Sequence, residues 1–74
     1  ATIEFGLTQE DAISIELTDM LGNTIQRFIH KEKRAQGIHM EKLSLDDKIK
    51  PGPYLLKINN SKQSIAVKVI KGKD

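Results

Sequence analysis

Seventy-four residues with a formal net charge of +2 allow one domain, spanning 1–74, and no more. A hydrophobic content of 38% fits a globular domain. The absence of cysteine and tryptophan, with aromatics at 4%, excludes a disulfide framework, a thiolate metal cage and a stacking platform for bases or sugars.

The chain opens with strict alternation. Ile3, Phe5 and Leu7 fall on one face and Thr2, Glu4 and Gly6 on the other, the period-2 pattern of a half-buried strand. After a polar break at 8–11, Ile13, Ile15 and Leu17 alternate with Ser14, Glu16 and Thr18, predicting a second strand with an aliphatic core face. Asp19-Met20-Leu21-Gly22-Asn23 reads as a tight hairpin turn. Aspartate favours the first turn position, and Gly22 can take the positive φ that closes it. Leu21 is then an apolar side chain in a turn, expected to fold back over a sheet edge.

Residues 24–36 admit two readings. Ile25, Phe28, Ile29 and Ala35 sit at helical spacings, with Asn23 or Thr24 as cap and Gly37 as terminator. Against that, Ile25, Arg27 and Ile29 share a strand face, Phe28 can mark a shift in facing, and the residue types favour a strand. From Gly37 another extended run begins. Ile38 and Met40 point one way and Leu43 and Leu45 the other, so a bulge or a bend is expected near Glu41-Lys42. Residues 46–50 form a charged loop with Ile49 as an apolar plug. Lys50-Pro51-Gly52-Pro53 halts helix and ladder alike. Tyr54, Leu56 and Ile58 then share a strand face, 59–62 make a turn, and Ile65, Val67 and Val69 mark the last strand. Short strands with turn signals between them predict an all-β sandwich or barrel.

Charge is uneven along the chain. Residues 1–23 carry five acids and no base, 24–50 carry seven bases against four acids, and 51–74 carry five lysines against Asp74. Ten of the twelve bases are lysine, whereas readers of bases and phosphates lean on the bidentate arginine fork. The pattern reads as opposite poles and a solvated lysine-rich surface, and no nucleic-acid partner is expected. No apolar run exceeds three residues, so no segment is expected to insert in a membrane. No basic stretch leads into an apolar core at the start, so no leader peptide is expected within these residues.

Catalytic chemistry finds little to work with. His30 and His39 are nine apart with no cysteine near, and are better read as loop or strand-edge residues than as a metal pair. Asp46 and Asp47 are neighbours on an extended chain and point apart, so they form no acid/base pair. The serines lack a strand-turn-helix elbow, and the glycines lack the spacing of a phosphate-cradling loop. No enzyme activity, metal or cofactor is expected. Tyr54 is read as a core or rim aromatic whose hydroxyl reaches the backbone or water. Gly22, Gly37 and Gly52 are read as turn residues that supply unusual φ. Lys68, Lys71 and Lys73 are either a recognition tail or a charged edge that resists pairing.

The order of these punctuation points resembles a known family. ISIELTDMLGNTI, GIHMEKLSL, GPYLLKI and SIAVKVIK, in that order, are similar to the C-terminal sorting domain of proteins exported by the type IX secretion system of Gram-negative bacteria. The matching positions are Asp19 with Gly22, Gly37 with His39, Gly52 with Tyr54, and Lys68. The resemblance covers nearly the whole chain. The chain opens already at its first strand, so the Pro-Asn-Pro-like lead-in usual in the family is expected to have been cut away, and it departs from the family at Pro53, which stands where an aliphatic residue is usual and fits only a strand's first residue or an edge. The resemblance implies a small immunoglobulin-like antiparallel β-sandwich of six to seven strands, and it tips 24–36 toward strand and loop. It implies a secretion signal with no catalytic residue. The translocon would carry the cargo from the periplasm across the outer membrane to the cell surface or medium, and a sortase-like peptidase would cut N-terminal to the sandwich. The last stretch, from Lys68 to Asp74, would be needed for export. The residues themselves fit a mechanism in which a terminal strand docks on a receptor edge while lysines set the register.

Two other readings are open from the residues alone. A generic immunoglobulin-like or fibronectin-like accessory module shares the fold without needing a translocon. A small α+β domain that binds nucleic acid follows if 24–36 is a helix. A terminal edge strand also makes a dimer conceivable.

Overall fold

A computed structural model describes residues 2–72 of the chain. Six strands follow in order: β1 (Thr2–Leu7), β2 (Asp11–Thr18), β3 (Thr24–Arg34), β4 (Gly37–Lys42), β5 (Gly52–Asn59) and β6 (Ser64–Lys71). They form two antiparallel sheets, β1-β4 and β3-β2-β5-β6. The described residues hold no helix. This is the small all-β sandwich expected, with six strands as the lower of the two counts.

The core follows the alternation. Ile13, Ile15 and Leu17 of β2 are at most 1% exposed and lie beneath Leu7 of β1, Ile29 of β3, Leu56 and Tyr54 of β5, and Leu43 and Ile49 of the β4–β5 connection. Each aliphatic side chain so buried contributes about 1.5–3 kcal/mol relative to exposure. Ile49 is the plug its loop position promised.

Residues 24–36 are strand, not helix, in all but the last two positions. β3 pairs with β2 from Thr18↔Thr24 to Asp11↔Arg34. A helix would bury Ile25 and Ala35, and both are exposed. Ile29 instead sits opposite Ile15, and Arg27 sits opposite Glu16, so Phe28 is an extra residue at a bulge and marks the change of facing. A second bulge opposite Ser14 holds Lys31 at φ 47°, with the Lys31 N–H donating to Ser14 Oγ at 2.9 Å.

Three expectations need correction. Neither bulge nor bend interrupts β4: it is strand through Lys42, and its register with β1 runs unbroken from Leu7↔Gly37 to Thr2↔Lys42. His39 and Glu41 lie opposite Phe5 and Ile3 on the inward face, while Ile38 and Met40 face solvent at 75% and 69% exposure. The inward polar groups find partners, so alternation continues into Leu43. The His39 ring stacks on Phe5 with centroids 5.5 Å apart, and Arg34 Nη1 donates to Glu41 Oε1. Leu21 does not fold back over an edge but stands 89% exposed at the tip of its turn. Pro53 is the second residue of β5, a central strand, and is tolerated for a geometric reason. β2 first meets β5 at Thr18↔Leu55, so Gly52 and Pro53 overhang it and face no β2 ladder partner.

Candidate functional site

The register sorts the motif residues to two ends of the sandwich. β2 ends, β3 and β5 begin and β6 ends at one pole, which therefore gathers Asp19 and Gly22, Gly52 and Tyr54, and Lys68 and Lys71. Gly37 and His39 lie at the other pole, beside the ends of β1 and β3 and away from these. Lys73 lies outside the described residues.

At the first pole, Asp19 builds its own turn. Its Oδ1 accepts from the N–H groups of Leu21 and Asn23, each at 2.9 Å, and its Oδ2 accepts from Asn23 Nδ2 at 2.9 Å. The Gly22 N–H donates to the Asp19 carbonyl at 3.1 Å, and Gly22 takes φ +94°. An aspartate followed three residues later by glycine is thus a backbone requirement: four donors converge on one residue, and the turn needs the left-handed half of the map. The side-chain bond from Asn23, with the backbone bonds behind it, holds the Asp19 carboxyl below its ordinary value of 3.8.

Asp11, at the other pole, is lowered too, first by the Ser61 hydroxyl, which donates to its Oδ2 at 2.8 Å. Because both folded values lie below the unfolded one, the stabilisation is full above 3.8 and drains away as pH falls through the folded values. The thermal midpoint is therefore expected to hold steady down to about pH 5 and to fall on further acidification. In an Asp19→Asn variant, whose amide oxygen still accepts but does not titrate, that fall is expected to be smaller. An unchanged acid profile in the variant would show that the carboxylate form of Asp19 matters little.

The second feature of this pole is the corner into β5. The Tyr54 hydroxyl donates to the Lys50 carbonyl four residues upstream, and the ring is 9% exposed. Gly52 between them has φ +148°. The tyrosine ties the Pro-Gly-Pro corner to the core, as a backbone-reaching hydroxyl was expected to.

The lysines do not form one cluster. Lys68 lies opposite Leu55 on the outward face of the four-stranded sheet, and Lys71 lies opposite Gly52 on the inward face. Lys71 borders an open cleft of about 350 Å³ whose apolar walls include Leu17, Leu43, Leu45, Leu56 and Val69. At the other pole Gly37 opens β4 with φ +126°, and His39 Nε2 lies 2.7 Å from the Ala35 carbonyl. With the ring stacked on Phe5, His39 is a structural clasp on the β3–β4 connection.

Three polar anchors escaped the sequence reading. Asp11 ties β2 to the β5–β6 turn across fifty positions of chain. Gln26 donates to the Ser44 carbonyl at 3.1 Å and accepts from the Asp46 N–H at 3.0 Å, fastening the long connection to β3. Arg34 lies between Glu32 and Glu41 with its side chain 23% exposed. Only the polar break at 8–11 hinted at the first; the other two carry no local signal.

Among the described residues no group of three or more histidines, aspartates or glutamates is placed to hold a metal ion. The first pole presents two fixed turns beside the end of β6, which pairs with β5 alone among the described strands. Comparison with family models matches residues 1–72 to the secretion system C-terminal sorting domain. Neither the curated proteins nor the solved structures compared with the chain give a match. Matched over nearly its whole length, on a fold whose fixed turns fall at the motif positions, the chain belongs to the family of type IX secretion C-terminal sorting domains.

Proposed function

We propose that this domain is an address label read by the type IX translocon, which carries the attached cargo from the periplasm across the outer membrane, and that a sortase-like peptidase then removes the domain by cutting N-terminal to β1. Family membership makes the chain a type IX secretion signal, and the protein that bears it a secreted or cell-surface protein. The observation that carries the finer reading is the family match across residues 1–72, on a chain whose motif residues build turns. Recognition falls to the pole bearing the Asp19 turn, the Tyr54 corner and the last strand, with Lys68, Lys71 and Lys73 as contacts for the receptor.

A periplasmically targeted fluorescent reporter fused ahead of residues 1–74 tests this in a bacterium with a working type IX system. The fusion is expected at the cell surface or in the medium, shortened by loss of the domain, and trapped in the periplasm when the translocon is deleted. Alanine at Lys68, Lys71 and Lys73 together is expected to lower export. Retention of the unaltered fusion in cells that still export their own cargo would overturn the proposal.

A further inference from the structure

We infer that the free edge of β6 is a pairing site for an extended segment of another protein, apolar on one face and acidic on the other. The inference rests on the sorting-signal reading for its setting and on the two edges of the four-stranded sheet for its content.

The edges are built differently. β3 breaks register with β2 at three places, holds Lys31 in the left-handed region, and carries Arg27, Lys31, Glu32, Lys33 and Arg34. Bulges and charges of this kind keep a strand from pairing outward. β6 has none of these protections on its inward face until its last residue. It pairs with β5 without a shift from Asn59↔Ser64 to Gly52↔Lys71, and it contains neither proline nor glycine. Among the described strands it pairs with β5 alone. Ile65 and Val67 point to the core side of the sheet, opposite Ile58 and Leu56, yet remain 50% and 45% exposed. Their row continues through the half-buried Val69 into the cleft beside Lys71. A regular edge with an uncovered apolar row is a template for one more strand.

Charge selects the partner. The β5–β6 hairpin, residues 52–71, carries Lys57, Lys62, Lys68 and Lys71 and no carboxylate. Asp47 is the one acid lining the cleft. A strand added at β6 therefore places alternate side chains over Ile65 and Val67 and meets Lys68 on the other face, where carboxylates complement it. A second copy of β6 would bring the same lysines and no acid.

The probes are two short capped, fluorescein-labelled peptides, one alternating valine with glutamate and the other valine with lysine. They are titrated by fluorescence anisotropy against the full chain, with amide hydrogen exchange to map protection. The glutamate peptide is expected to bind and to protect β6, and to weaken as salt rises. Val67→Lys, which puts a charge on the exposed apolar row, is expected to reduce that binding about tenfold or more. Lys68→Glu, on the outward face, is expected to reverse the preference between the two peptides. Circular dichroism matching the parent shows that each variant is folded. Equal binding of both peptides, protection on β3 in place of β6, or unchanged affinity in folded Val67→Lys would overturn the inference. So would dimerisation of the chain through β6 in sedimentation. The titration does not depend on export and the reporter fusion reads export alone, so either idea can fail without the other.

Discussion

Replacing Ile15 with alanine is expected to destabilise the domain by about 2–5 kcal/mol, the range for a fully buried aliphatic side chain cut back to a methyl. Ile15 is 0% exposed, and its central strand pairs it with Ile29 on one side and Ile58 on the other. Two features keep the neighbours from closing the gap. Both flanking sheet partners are tied by main-chain ladders, and the β2–β3 register shifts on either side of Ile15 fix the local twist. A chain of this length has a total stability of roughly 4–11 kcal/mol, so the loss is a large fraction of what is available. Urea denaturation followed by far-ultraviolet circular dichroism measures it. Val67→Ala, at a site 45% exposed, supplies the contrast and is expected to cost less than about 1 kcal/mol. Similar losses at the two positions would mean that β2 is not the centre of the core. In the reporter fusion, Ile15→Ala is expected to lower export in step with the fraction of label that is unfolded.

Where burial faces one way the sequence was legible. β2 reads directly because one face is aliphatic and the other polar, and the structure buries that face at Ile13, Ile15 and Leu17. The turns were legible for a different reason: Asp19, Gly22 and Gly52 answer local backbone demands that need no knowledge of distant chain. β3 was ambiguous because its bulges insert residues into the pairing, which turns a period of two into spacings that mimic a helix near Phe28. β4 misled for a tertiary reason. Its apolar residues Ile38 and Met40 face solvent, while His39 and Glu41 face inward onto Phe5 and Arg34, partners more than thirty and seven residues away along the chain. The candidate site divided in the same way. Each turn motif was visible alone, but only the register shows that the Asp19 and Tyr54 corners share a pole with Lys68 while His39 does not, and that Lys68 and Lys71 face opposite sides.

Alanine at Gly52 is expected to cost about 1–3 kcal/mol, and the cost arises in the backbone rather than in crowding. Gly52 sits at φ +148°, yet a methyl group built there meets no atom within 4 Å. Relieving the strain means rotating the peptide, and its neighbours resist. Gly52 pairs with Lys71 at the end of β6, and two residues on, the Tyr54 hydroxyl holds the Lys50 carbonyl. A rotated corner therefore loosens the last rung of the β5–β6 hairpin and frees the tyrosine hydroxyl together. Gly6→Ala is the control: that position is equally open but has no positive φ, so its urea midpoint is expected to stay level or rise slightly as the unfolded chain loses freedom. Adding Tyr54→Phe to Gly52→Ala is expected to cost less than the two changes separately, since both act through one corner. The Gly52→Ala fusion is then expected to export poorly even at temperatures where the domain stays folded, because the altered corner carries Lys71 with it. Equal losses at Gly6 and Gly52 would place the cost in side-chain or solvation effects common to both sites, and the left-handed corner would no longer explain why glycine precedes the tyrosine.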